Sequence, residues 1–174
     1  MKLITTTLLT LILLAPSTAF SQTRSRSSSR QKPAAAAATQ RGAQVRTQGA
    51  TRVADQIKNL TKFMYILGGV TSSIAAVEEA ARKAGASPVD QTAQSKALVK
   101  GTIQNIRVGL DKLEIDFRAT PELQPYYIKL AGVAAGAATA EERAAANQFD
   151  AAGRQLLNVV NRLTDVLLLM RTTE

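Results

Sequence analysis

From residue 51 onward, apolar side chains recur at helical spacing. Val53, Ile57, Leu60, Met64 and Leu67 alternate steps of four and three. The stripe then shifts to Val70, Ile74, Val77 and Ala81, with Gly68-Gly69 at the break in phase. This pattern predicts a first helix, capped by Thr51 at its start and closed by Gly85. Two steps of three in succession form a stammer, and paired glycines inside a helix invite a bend or a close helix contact.

Ser87-Pro88 opens a second predicted helix, running from about Val89 to Arg118. Serine is a natural cap there, and proline suits the first helical position. Val99, Ile103, Ile106, Leu110, Leu113 and Phe117 keep heptad spacing, which makes a narrow core-facing seam. Thr120-Pro121-Glu122 reads as the start of a third helix that fades near Gly136. Thr139-Ala140-Glu141-Glu142 has the form of a capping box for a fourth. Its seam is Phe149, Ala152, Leu156, Val159, Leu163, Val166 and Met170. No stretch alternates with period two over β-branched residues, so no sheet is expected.

These elements predict an all-α fold, an antiparallel up-and-down bundle of about four helices over residues 51–174. One length does not match. A third helix ending near Gly136 would be about half as long as the fourth at ~1.5 Å per residue. Either the alanine-rich stretch 131–147 continues the third helix to a turn near Asn147, or the fourth overhangs at Val166-Leu167-Leu168-Leu169-Met170. An end apolar on all sides calls for a cover. Neighbouring helices would supply it in a monomer, and a second copy or a partner groove would supply it otherwise. Leu167, Leu168 and Leu169 are therefore candidate interface residues. Tyr126-Tyr127 joins them, because tyrosine is favoured at interfaces, and a core residue beside a snorkelling edge residue accounts for the pair equally well. Gly132-x-x-x-Gly136 permits close backbone approach in the third helix.

The pattern differs ahead of residue 51. Residues 1–21 carry a basic start at Lys2, an apolar run from Leu3 to Ala15, and a tail ending in Ala19-Phe20-Ser21. This is the anatomy of a cleaved secretory signal, with cuts expected before Gln22 or before Phe20. The run falls short of the ~20 residues a span needs. No cysteine follows it, so a lipid-modified cysteine is excluded. The expected location is therefore exported, periplasmic or secreted.

Residues 22–50 contain one valine and no leucine, isoleucine or aromatic residue. Such a stretch buries too little to offset its ordering entropy, so a disordered basic arm is expected. Charge divides along the same line. The formal net charge is +9, of which the arm carries +6 through Arg24, Arg26, Arg30, Lys32, Arg41 and Arg46. The predicted bundle is nearly neutral. These six residues are candidates for an electrostatic tether to an anionic envelope polymer or a membrane surface. A solvated linker is the plainer reading. The Arg24-to-Arg30 tract is similar to the arginine-serine tracts of nuclear RNA-binding proteins. The export signal and the lack of stacking aromatics argue against nucleic acid.

Chemistry narrows by composition. The chain has no histidine, cysteine or tryptophan. The usual zinc and haem ligands and the Glu-x-x-His pairs of bundle di-metal sites are missing. Glu78-Glu79, Asp111-Glu114 and Glu141-Glu142 are paired acids beside Arg82, Lys83, Arg107 and Arg118, and ordinary surface pairing accounts for them. No spacing singles out a nucleophile with a base. The sequence therefore predicts no catalytic residue, metal or cofactor. It points to a non-enzymatic protein that binds or scaffolds. The alternative is a carrier whose bundle interior, lined by alanine-rich helices, holds a small apolar ligand.

Overall fold

The computed structural model describes residues 31–85 and 90–172. The expected signal peptide, and Arg24, Arg26 and Arg30 of the expected arm, lie outside those residues. Among the described residues every regular element is a helix. They are α1 (Gln31–Ala84), α2 (Asp90–Ala119), α3 (Gln124–Leu130), α4 (Val133–Ala145) and α5 (Phe149–Thr172). Residues Ala37–Glu174 form one compact unit.

The largest correction concerns where α1 begins. It starts at Gln31, not at Thr51, so residues 31–50 of the expected disordered arm are helical. Alanine, glutamine and arginine dominate this stretch and are strong helix formers. A packed helix already supplies the nucleus, so each added residue gains a hydrogen bond without a new initiation cost. Packing reinforces the choice. Val45 and Ala50 lie against the core. At Gly49 an added Cβ would stand 2.7 Å from Leu123 Cδ2 and 3.1 Å from Met170 Cε. A side chain there would push α1 away from the start of α3 and the end of α5.

Cross-contacts fix the topology. Arg52 reaches Asp116, and Glu78 meets Lys96 at the opposite end, so α1 and α2 are antiparallel. Arg107 on α2 pairs with Glu141 on α4 at 2.5 Å, and Glu114 meets Gly132, which sets α4 antiparallel to α2. Gly136 stands against Val159 and Gly153 against Leu67, so α5 runs antiparallel to both α4 and α1. The helices alternate up and down, with α3 and α4 sharing the third position.

Third-position boundaries differ from the expected ones in two ways. Residues 120–123 form a hydrogen-bonded turn, Leu123 N–H donating to Thr120 O at 2.9 Å, and the helix begins at Gln124. Thr139 is no cap. It lies within α4 and its hydroxyl donates to the Ala135 carbonyl at 3.2 Å. The local capping-box pattern loses to continuous packing, since Val133, Ala137, Ala140 and Ala144 keep one face of α4 buried. The turn falls at Asn147, one of the two expected alternatives. Asn147 adopts φ 58°, Gln148 N–H donates to Arg143 O at 2.8 Å and Asn147 N–H to Ala144 O at 2.9 Å. These paired bonds form a Schellman motif with asparagine in the left-handed position.

The core follows the heptad seams. Val53, Leu60, Phe63, Leu67 and Ile74 face Val99, Ile103, Leu110, Leu113 and Phe117 from α2 and the complete α5 seam. Phe63 is off the predicted stripe of α1 but is buried, while Val77 on the stripe is 40% exposed. The stripe ends early because α4 and α5 stop short of this end, where Phe149 opens α5 beside Met64, Leu67 and Thr71.

Candidate functional site

Three places gather polar or apolar groups beyond what the core needs. The first is the break between α3 and α4. Gly132 caps α4 with φ 91°, a left-handed conformation that glycine adopts without strain. Two neighbouring helices hold it. The Glu114 carboxylate on α2 accepts from Gly132 N–H at 3.0 Å and from Ala134 N–H at 2.7 Å. From α5, Arg162 Nη2 donates to the Ala131 carbonyl at 2.7 Å. An acid placed at a helix N-terminus satisfies orphan N–H groups and favours the macrodipole. This cluster ties three helices together.

The second place is a cleft of about 430 Å³ between α1 and α2, lined by Gly69, Val70, Ser73, Ile74, Val77, Thr92 and Ser95. Thr92 is only 5% exposed. The Ser73 hydroxyl donates to its own helix at the Gly69 carbonyl, 3.0 Å away. The cleft opens to solvent on the flank of the hairpin, outside the bundle interior.

The third is the outer face of α1. Ile57, Lys58, Thr61, Lys62, Tyr65 and Ile66 line an open apolar groove there. Tyr65 is 87% exposed and Ile66 59%. Periodicity placed both off the core stripe but gave no reason for large apolar groups in water. That combination of size and position is the signal a reading of the seam alone overlooks.

The residues singled out by sequence scatter across the molecule. Tyr126 is buried at 4% exposure, so it belongs to the core and not to an interface, while Tyr127 is half-buried against the core. Leu167 also packs against the core, and Leu168 and Leu169 reach solvent. The α5 end does not overhang. Met170 lies under Gly49 of α1, so the unforeseen helical stretch supplies the cover. Of the tether candidates on α1, Arg41 is exposed and Arg46 half-buried. Lys32 falls within the first turns of α1.

Within the acidic pairs Glu79 behaves as a plain surface group, but Glu78 and Glu141 form half-buried ion pairs, and Glu114 caps α4 instead of pairing with a basic side chain as expected. Glu79 meets Arg82 at 2.9 Å and Lys83 at 3.5 Å. Glu78 pairs with Lys96, and Asp116 with Arg52 at 3.2 Å. Among the described residues no group of three or more His, Cys, Asp or Glu could hold a metal ion. Among the described residues one helix, within Ala36–Ala84, is long and apolar enough to cross a membrane by length and composition, and 22% of that window is buried. Comparison with protein-family models, curated proteins and solved structures yields no match.

Proposed function

We propose that this is an exported, non-enzymatic helical protein that works by binding or scaffolding in the cell envelope or outside the cell. The observation that carries the reading is the contrast between core and surface. The core is filled by apolar side chains from all four bundle positions, with Phe117, Leu60, Ile103 and Leu156 essentially inaccessible. Large apolar groups meanwhile stand in water on the outer faces, including Tyr65, Ile66, Leu98, Val108 and Ile128. A filled interior leaves the surface and the basic N-terminal stretch to do the work. Arg24, Arg26 and Arg30, which precede α1 in the sequence, form the electrostatic tether to an anionic polymer or membrane surface.

Co-sedimentation with isolated envelope fractions tests this. The mature chain should bind at low salt and release at high salt, and replacing Arg24, Arg26 and Arg30 with glutamine should abolish binding while helicity stays intact. Binding that survives both salt and the replacements would reject the tether. Deleting all of residues 22–50 is not a usable test, because Val45, Gly49 and Ala50 pack on the bundle.

The expected interior site is filled by core side chains, so a carrier reading would draw on the α1–α2 cleft on the flank instead. Val70, Ile74 and Val77 give it an apolar wall of a size that suits a small ligand. Saturable binding of an apolar fluorophore, lost in Val77→Asp with the fold retained, would favour that second reading.

A further inference from the structure

Among the described residues the outer face of α1 has no partner, yet its charges and apolar groups are ordered from both ends toward its middle. No charged residue occurs from Phe63 to Val77. On the face turned away from the core lie Tyr65, Ile66, Gly68, Gly69, Ser72, Ala75 and Ala76, all exposed. The hydroxyls here are satisfied internally. Thr61 donates to the Ile57 carbonyl at 2.8 Å and Ser72 to the Gly68 carbonyl at 2.9 Å. A neighbour would therefore meet a largely apolar surface on which the Thr61 and Ser72 hydroxyls are already bonded and the Tyr65 hydroxyl stands at the rim in solvent.

Charges resume on either side, and their order matters. On one flank stand Asp55, Lys58 and Lys62, and on the other Glu79, Arg82 and Lys83, all exposed. Each flank closes an ion pair of its own, Lys58 with Asp55 and Arg82 with Glu79. Consider a two-fold axis between Gly68 and Gly69, relating two antiparallel copies of α1. It sets Lys58 against Glu79, Asp55 against Arg82 and Tyr65 against Ser72 of the second copy. These four residues each meet an opposite charge, twice over, while Lys62 falls opposite Ala75 and Lys83 opposite Ala54. A parallel pairing in register would set Lys58 against Lys58 and Glu79 against Glu79.

Shape agrees with charge. The groove along Ile57, Thr61, Tyr65 and Ile66 falls opposite the small Ser72, Ala75 and Ala76. At the crossing point, an added Cβ on Gly68 or Gly69 would meet nothing within 4 Å, so packing inside the chain does not use the space they leave. That space suits the close approach of another backbone. The contact would extend over about 40 Å of helix at ~1.5 Å per residue.

We propose that the face of α1 between Asp55 and Arg82 is an antiparallel two-fold interface between two copies of this chain. An anionic bilayer is the competing occupant, given the apolar window of α1. The flanks decide against it. Asp55 and Glu79 share the face with Lys58, Lys62, Arg82 and Lys83, so an anionic bilayer would repel the two carboxylates that a second copy uses. The interface is isologous, as closed dimers require. It stands apart from the envelope tether, since replacing the tether arginines leaves it intact.

Sedimentation velocity of the full chain tests the dimer. Lys58→Glu and Glu79→Lys should each weaken association about tenfold or more, since each sets like charges together at both ends. Mixing the two variants should restore it, because the mixed pair is complementary at both ends. Gly69→Leu should also weaken it by blocking the close approach, with circular dichroism confirming the fold in each variant. A wild-type chain that stays monomeric at ~100 μM overturns the proposal. So does association that Leu168→Glu abolishes and these variants do not, or a mixture no tighter than its components. Binding to phosphatidylglycerol vesicles, lost in Lys58→Glu but kept in Glu79→Lys, would give the face to the bilayer instead.

Discussion

Gly132→Ala and Gly101→Ala are the same chemical change, and the structure gives them opposite signs. Gly101 lies inside α2, and an added Cβ there meets nothing within 4 Å. Alanine should stabilise it by about 0.8–1 kcal/mol through helix propensity alone. Gly132 sits at φ 91°, where an L side chain costs about 1–2 kcal/mol. The new Cβ would also stand 3.1 Å from Arg162 Nη1. Arg162 is flexible and can retreat, but its hydrogen bond to Ala131 goes with it, at about 0.5–1 kcal/mol for an exposed group. Alanine recovers about 0.4–1 kcal/mol by restricting the unfolded chain. The net for Gly132→Ala is a loss of about 1–2 kcal/mol. The two variants should therefore differ by about 2–3 kcal/mol in urea unfolding followed by circular dichroism, with unchanged m-values. Were α3 and α4 one continuous helix, Gly132→Ala would stabilise as Gly101→Ala does. That result would refute the broken third position.

Other expectations follow from the packing. Phe117→Ala removes a fully buried ring and should cost about 3–5 kcal/mol, read as a lower urea midpoint. Asn147→Ala places a Cβ-bearing residue without a local hydrogen-bonding side chain in the left-handed turn after α4, and should cost about 1 kcal/mol, whereas Asn147→Gly should be neutral or stabilising in the same assay. Gly136→Ala would bring its Cβ to 2.8 Å from Val159 Cγ2. Valine is stiff, so overpacking of about 1–3 kcal/mol should outweigh the helix gain, and thermal melting should show a fall. Glu114→Ala leaves two α4 N–H groups to water and should cost about 1–2 kcal/mol at neutral pH, with Glu114→Gln milder because its amide oxygen still accepts.

Heptad seams were legible because burial repeats: every predicted seam residue of α5 is buried, and so are Val99, Ile103, Leu110, Leu113 and Phe117 in α2. Gly85 also closes α1 as expected, with φ 65°. What failed were local signals that tertiary packing overrode. Thr139-Ala140-Glu141-Glu142 looks like a helix start, yet Ala140 and Ala144 continue a buried face set by Val133 and Ala137. The stretch 31–50 looks too polar to fold, yet it needs only to extend an existing helix. The break at Gly132 depends on Glu114 and Arg162, which lie eighteen residues before and thirty after it. No window of sequence brings such distant partners together. Tyr65 and Ile66 were visible as off-seam residues, but their exposure had to be seen in three dimensions. The zero count of histidine and cysteine was the most transferable compositional fact, since it bounds metal chemistry whatever the fold.

The proposed envelope tether depends on the chain working outside the cytoplasm. The most direct measurement is intact mass spectrometry of the protein recovered separately from cytoplasmic and extracytoplasmic fractions of the cells that make it. The account predicts an extracytoplasmic species that begins at Gln22, or at Phe20 if the earlier site is used. A chain that retains residues 1–21 and remains in the cytoplasm would contradict it.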